Sequence, residues 1–283
     1  MKNILVPFDF SNHAKNALGF ALKMAVKANA RVNLLHVIEL PMINGPTLIP
    51  QYDYETSFHK DLREKTDKEL LKIVETFKSK GVHIVSTTEF GPPATIILAR
   101  ILTEAMDVVV MGSQGMNGLT EFFMGSVTTK VVRKASVPVF IIKNANTKEI
   151  KNIVFPNALE MVHQEKLVAE VKALQKLLDA RLHIVFINTP ANFIADGLTH
   201  AKLEKFANHY DLKNYTLNIY SDIDKAKGIR EFTKNINGDL IAIGTHGKNG
   251  IAHLINGSVS EEVTENSNIP IWSYSMKNEL TEA

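Results

Sequence analysis

Short apolar runs, each long enough for one buried strand, alternate along the chain with longer stretches whose apolar positions recur every three or four residues. Ile4-Leu5-Val6 is the first such run. Ser11 then stands where it can cap a helix reaching about residue 27, with Ala14, Ala17, Leu18, Ala21, Leu22 and Ala25 on one face. Residues 32–38 read as the next strand, and a charged helix is predicted over 56–80, with Leu62, Leu70, Ile73, Val74 and Phe77 facing in and Gly81 ending it. Strands follow at 82–88, 108–111 and 137–142. Between them lie a helix opened by Pro92-Pro93 and running to about residue 105, and another over 125–134. Strand-helix alternation of this kind implies an α/β fold, a parallel sheet with helices on both faces.

The same order is then repeated. Lys2-Asn-Ile-Leu-Val-Pro7 corresponds to Lys151-Asn-Ile-Val-Phe-Pro156, and Ala30-Arg-Val-Asn-Leu-Leu-His-Val37 to Ala180-Arg-Leu-His-Ile-Val-Phe-Ile187. A period this long argues duplication of a whole domain rather than a solenoid. The expected domains are residues 1–145 and 150–276, joined by a short polar linker over 143–149.

Each half carries one glycine-rich pattern. The first reads Gly112-Ser-Gln-Gly115, nine residues, then Gly125-Ser126; the second reads Gly244-Thr-His-Gly247, nine residues, then Gly257-Ser258. Both follow an apolar run headed by an aspartate, Asp107 or Asp239, and both precede a stretch ending in an Xaa-Pro strand, at Pro138 or Pro270. Strand, glycine loop and helix start is a context in which backbone N–H groups surround a phosphate. Glycine permits positive φ and close backbone approach. The spacing fits neither the Walker nor the Rossmann pattern. A tight strand-to-helix turn without ligand would show the same glycines, and duplication would preserve it. Asp9, just beyond the first strand, is placed to accept hydrogen bonds from ribose hydroxyls or to cap the following helix; half two has Ala158 there.

The remaining candidates are weaker. No His-x-x-x-His pair with a glutamate occurs, and His13 and His246 are expected to face solvent. Asp53, Glu55 and His59 form no recognisable catalytic set, and Phe122 and Phe123 read as packing residues. The apolar stretch over 41–50 reads as a lid, a subunit contact or a loop packed on its own domain.

Composition narrows the picture. The 283 residues are 45% apolar and 22% charged, the profile of a globular protein with a sizeable core. Lys plus Arg number 32 against 30 Asp plus Glu, with no basic block of the kind that tracks a nucleic-acid backbone. No apolar run has the length of a membrane span. The apolar core near the N-terminus is too short for a signal peptide and is broken by Pro7 and Asp9, so cytoplasmic location is expected. Zero cysteines exclude disulfides, thiol nucleophiles and thiolate metal sites.

The Gly-x-x-Gly-x9-Gly-Ser signature, the opening Ile-Leu-Val-Pro-Phe-Asp9 and the closing Val-Pro-Val-Phe-Ile-Ile142 resemble the universal stress proteins in their tandem-domain form. The resemblance covers both halves. It implies, for each domain, a five-stranded parallel sheet of order 3-2-1-4-5. It implies ATP (or ADP or AMP) as ligand, with Mg2+ on the phosphates as an option. Carried onto this chain, the nucleotide site comprises Pro7, Asp9, Val37, Met111, Gly112, Gly115, Gly125, Ser126 and Val127. Gly244, Gly247, Gly257 and Ser258 form a second candidate site, which lacks the aspartate. The resemblance further implies edge-to-edge pairing of fifth strands, here within one chain as a pseudo-dimer, with a homodimer of chains as the other outcome.

Three functions follow. The first is a cytoplasmic ATP-binding regulator of a stress response, with nucleotide held mainly by half one, unnamed protein partners, and at most weak ATP hydrolysis. No residue stands out as a base for water and no arginine finger is identifiable. The second is a nucleotide-independent protein-interaction module, which the loss of the aspartate favours for half two. The third, an enzyme on a related adenine-binding fold, would need His-x-x-His or Ser-Gly-Gly-x-Asp-Ser, and neither occurs.

Overall fold

A computed structural model describes residues 1–39, 51–77, 81–113, 124–145, 148–245 and 269–276. The apolar runs become strands. In half one β1 is Asn3–Pro7, β2 Arg31–Ile38, β3 Ile84–Phe90, β4 Val108–Gly112 and β5 Val139–Ile142; in half two β6 is Asn152–Pro156, β7 Arg181–Asn188, β8 Tyr215–Ser221, β9 Leu240–Thr245 and β10 Ile271–Ser275. They form one ten-stranded sheet of order β3-β2-β1-β4-β5-β10-β9-β6-β7-β8. Each half therefore has the order 3-2-1-4-5, parallel throughout. The halves meet where β5 pairs antiparallel with β10. That pairing satisfies backbone groups that two solvent-facing edges would leave open.

The helices are α1 Asn12–Ala28, α2 Gln51–Phe77, α3 Pro93–Thr103 and α4 Ser126–Lys134 in half one, and α5 Glu165–Leu178, α6 Asp196–His209 and α7 Lys225–Asn235 in half two. Ser11 caps α1 by accepting the Ala14 N–H, and Asn29 closes it in the left-handed region at φ 48°. Pro92 stands at the N-cap of α3. α2 begins five residues before the expected residue 56, because Gln51–Glu55 continue the helix without a breaker after Pro50. β5 begins two residues later than expected, after Pro138, whose carbonyl still accepts the Val109 N–H. The stretch over 41–50, Phe122, Phe123 and His246 lie outside the described residues.

On one face of the sheet α1, α2, α5 and α6 cover a core continuous across the joint, in which Phe20 packs on Phe140 at 5.1 Å between ring centroids. On the other face each half has its own core, under α3 and α4 and under α7, and Ile271 packs against both. The aspartates heading the fourth strands have a structural task. Asp107 Oδ2 accepts the Asn3 N–H at 2.8 Å, and Asp239 Oδ2 accepts the N–H groups of Lys151 at 3.0 Å and Asn152 at 2.9 Å. Each carboxylate ties the start of its central strand to the strand beside it.

Candidate functional site

The chain reverses direction in strand order between β1 and β4, the position at which open α/β sheets leave a crevice beyond their carboxyl ends. Pro7 is the last residue of β1 and pairs in register with Leu35 of β2. Met111 and Gly112 end β4, which lies directly beside β1. Val37, near the end of β2, packs against the core under α3 and α4. Gly125 is the N-cap of α4, and Ser126 and Val127 are its first residues. The fold thus brings Pro7, Asp9, Met111, Gly112, Gly125, Ser126 and Val127 to one edge, with Val37 on the neighbouring strand. Gly115 lies outside the described residues, as do Gly247, Gly257 and Ser258.

Hydrogen bonds clamp the two described ends of the glycine loop. The Gly125 N–H donates to the Ser113 carbonyl at 2.8 Å, and the Ser113 N–H to the Ile142 carbonyl at 3.0 Å. The buried Thr128 hydroxyl donates to the Gly112 carbonyl at 3.0 Å. Among the described residues no side chain caps α4, while Arg133 and Lys134 occupy its last turn. An uncapped helix start offers N–H groups and the positive end of the helix dipole to an anion.

At Gly112 the demand is for space rather than for a positive φ. Gly125 has φ −58°, and Gly112 is an ordinary strand residue; among the described residues only Gly81 and Gly91 are glycines at positive φ. A Cβ on Gly112 would stand 2.8 Å from the His13 Cβ and 2.9 Å from the His13 carbonyl carbon. The first turn of α1 is packed onto the end of β4. His13, expected to face solvent, is half-buried.

Asp9 is not the helix cap, since Ser11 fills that role. Its Oδ1 accepts the Ser11 N–H at 3.1 Å in a turn that Phe10 makes at φ 65°. The Phe10 ring lies 5.0 Å from the His36 ring, and His36 Nδ1 is 2.7 Å from the Phe8 carbonyl oxygen. His13, Thr128 and His36 were not marked by the motif. Only Thr128 had a signal, a hydroxyl that recurs at Ser260 two positions after the second Gly-Ser.

Half two repeats the corner with other chemistry. The Asn157 N–H donates to Val185 as the Phe8 N–H does to Leu35, and Leu159 turns the chain at φ 63°. Ala158, exposed, therefore holds the place of Asp9. Asn157 Oδ1 accepts the Leu159 N–H at 2.6 Å, and Asn157 Nδ2 donates to Gln164 Oε1 at 2.7 Å. Gln164, buried, donates in turn to the Glu160 carbonyl at 3.0 Å. Two neutral amides close on each other there. Under Gly244 lies the Leu167 side chain instead of helix backbone. Among the described residues no group of three or more His, Asp or Glu side chains could hold a metal ion, and no helix is long and apolar enough to cross a membrane.

Fold and cleft define a duplicated, doubly wound α/β protein. A sequence profile of the universal stress protein family matches residues 1–143 and again residues 150–274, and the chain belongs to that family in tandem-domain form. A universal stress protein of Bacillus subtilis is 31% identical over 149 residues, 50% of this chain and 97% of that protein. One from Methanocaldococcus jannaschii is 27% identical over 157 residues, 52% of this chain and 97% of its own length. The crystal structure of a universal stress protein from Archaeoglobus fulgidus superposes with a TM-score of 0.71 over 96% of both chains at 21% identity, a likeness of fold.

Proposed function

We propose that half one binds an adenine nucleotide, ATP or its di- or monophosphate, and that the protein is a regulator whose state follows that ligand in a cytoplasmic stress response. The observation that carries this reading is the start of α4. It lies at the crevice between β1 and β4, clamped to the end of β4, with no side-chain cap and with Asp9 beyond β1. Phosphates would lie on the Ser126 and Val127 N–H groups and the ribose hydroxyls on Asp9. Val37 would border the base. Mg2+ would enter as counter-ion of the phosphates. The reading is of binding rather than turnover.

Calorimetry of the full chain with ATP, with and without Mg2+, tests it. One equivalent of nucleotide is expected, and Asp9→Ala is expected to weaken binding about tenfold, the loss of a charge-assisted hydrogen bond. No heat and no melting shift at millimolar nucleotide would sink the proposal.

For half two a different role is favoured. Its carboxyl edge has amides for the carboxylate, and the loops that follow β7 and β8 expose Phe193 (71%) and Ile223 (79%), with Leu198 (65%) in the first turn of α6. These are features of a surface that meets another protein rather than a polyphosphate.

A further inference from the structure

Asn188, the last residue of β7, holds two loops at once. Its buried side chain closes on Ile194 from both sides: Nδ2 donates to the Ile194 carbonyl at 2.8 Å, and Oδ1 accepts the Ile194 N–H at 3.1 Å. Its main-chain carbonyl accepts the Asp222 N–H at 3.1 Å, and Asp222 Oδ1 accepts the Ile223 N–H at 2.7 Å. The loop after β7 is fixed further by the Asn192 N–H, which donates to the Thr189 carbonyl at 2.9 Å, and by the buried Thr199 hydroxyl, which donates to the Ala195 carbonyl at 3.1 Å. The loops after β7 and β8 are thus tied to one residue at the outer end of the sheet.

What these loops hold out is apolar. Phe193 adjoins Ile194, Ile223 adjoins Asp222, and both side chains are exposed together with that of Leu198. Their loops are already ordered by the bonds around Asn188, so little further ordering is needed when a partner covers them, which is what an interface anchor requires. Half one lacks the device. Ile38 stands where β7 has Asn188; its carbonyl accepts the Gly91 N–H in the same main-chain bond, but it carries no amide, and Gly91-Pro92 replaces Asp222-Ile223. The charge around the three apolar side chains has one sign. Asp196 opens α6, Asp224 caps α7 and Asp222 precedes Ile223. No Lys or Arg occurs over residues 189–199 or 214–224; bases resume at Lys202 and Lys225.

We infer that this edge of half two is the docking site for a basic amphipathic segment of another protein, with the segment's apolar face on Phe193, Leu198 and Ile223 and its lysines or arginines on the surrounding aspartates. The inference rests on the reading of half two as a surface that meets another protein, and it names the chemistry of that partner. Charge decides among the occupants. A second copy of this chain seated edge to edge would set aspartates against aspartates, and a nucleic acid or an anionic membrane surface would be repelled. A basic segment is steered in by the rim and held by the apolar centre.

Two synthetic amphipathic helices with the same leucine face, one with lysines and one with glutamates on the other face, are the probes. Titrated with the full chain, the lysine helix is expected to bind saturably, one per chain, and about tenfold more tightly than the glutamate helix. Phe193→Ser with Ile223→Ser is expected to weaken the lysine helix about tenfold, and Asp196→Asn to weaken it by a smaller factor. Both variants should keep the melting temperature, since the three side chains are exposed. Equal affinity for the two helices, each lost in the double variant, overturns the choice of a basic partner and leaves the protein-binding edge standing. Binding of neither helix, or binding that the double variant leaves unchanged, overturns both.

Discussion

Gly112 and His13 touch at a place where neither can yield: a Cβ on Gly112 would meet the Cβ of His13 and also its main-chain carbonyl carbon, 2.9 Å away. The neighbour is helix backbone, which cannot rotate aside. Gly112→Ala is therefore expected to cost about 1–3 kcal/mol of unfolding free energy, the range for overpacking. Gly244→Ala in half two meets first, among the described residues, the Leu167 side chain, which can change rotamer, and is expected to cost less. Paired denaturation curves of the two variants check the ranking; equal costs would contradict it.

The helix start at Gly125 separates binding from stability. Its φ of −58° and ψ of 148° suit any residue, and aspartate is among the preferred N-caps. Gly125→Asp should hold or raise stability, by about 0.3 kcal/mol, by capping α4. The same carboxylate would occupy and repel the anion position. Calorimetry with ATP should then show binding lost while the melting temperature is kept. Undiminished binding in this variant would mean that phosphates do not lie at α4.

His183 in β7 gives half two a pH-dependent strand. Its ring contacts the Thr216 hydroxyl at 2.8 Å and Asn152 Oδ1 at 3.0 Å. Burial, with Arg181 nearby adding to it, holds its pKa below the ordinary 6.5. The unfolded chain thus takes up the proton first as pH falls, so the stability contribution is full above about pH 6.5 and is lost as pH drops through the folded pKa. His183→Gln should flatten the stability profile in that window. An unchanged slope between pH 7 and pH 5 would contradict this.

Glu170 on α5 behaves in the opposite sense. Half-burial, with a smaller contribution from Asp107, raises its pKa above the ordinary 4.5, although the N-terminal ammonium partly offsets this. Its contribution is present below that value and is lost as pH rises through the folded pKa. Glu170→Gln should therefore stabilise the chain at neutral pH and leave it unchanged near pH 4. Melting curves at the two pH values check the sign.

Strand and helix order, Ser11 as a cap and Pro92 as a helix opener were legible because each is a local signal: period, hydroxyl, ring. The conformation of the two described glycines of the first loop was less legible. Positive φ was the natural reading, yet the left-handed turns of the two corners belong to Phe10 and Leu159, for which composition gives no sign. The contact that demands Gly112 comes from a helix about a hundred residues earlier, visible only once α1 lies on β4. Ala158 in place of Asp9 was visible at once; that Asn157 and Gln164 close the vacated corner was not, because seven residues and a turn separate them.

Because β5 and β10 run in opposite senses, the crevice of half one opens on one flank of the sheet and the corresponding corner of half two on the other. The two corners thus face away from each other. No single small molecule can touch both mouths, and a protein seated at one is held clear of whatever occupies the other. Between the two flanks lie the joined strands, where the register partners Phe140 and Trp272 are both buried in the core shared by the halves, a close-packed medium suited to pass displacement rather than absorb it.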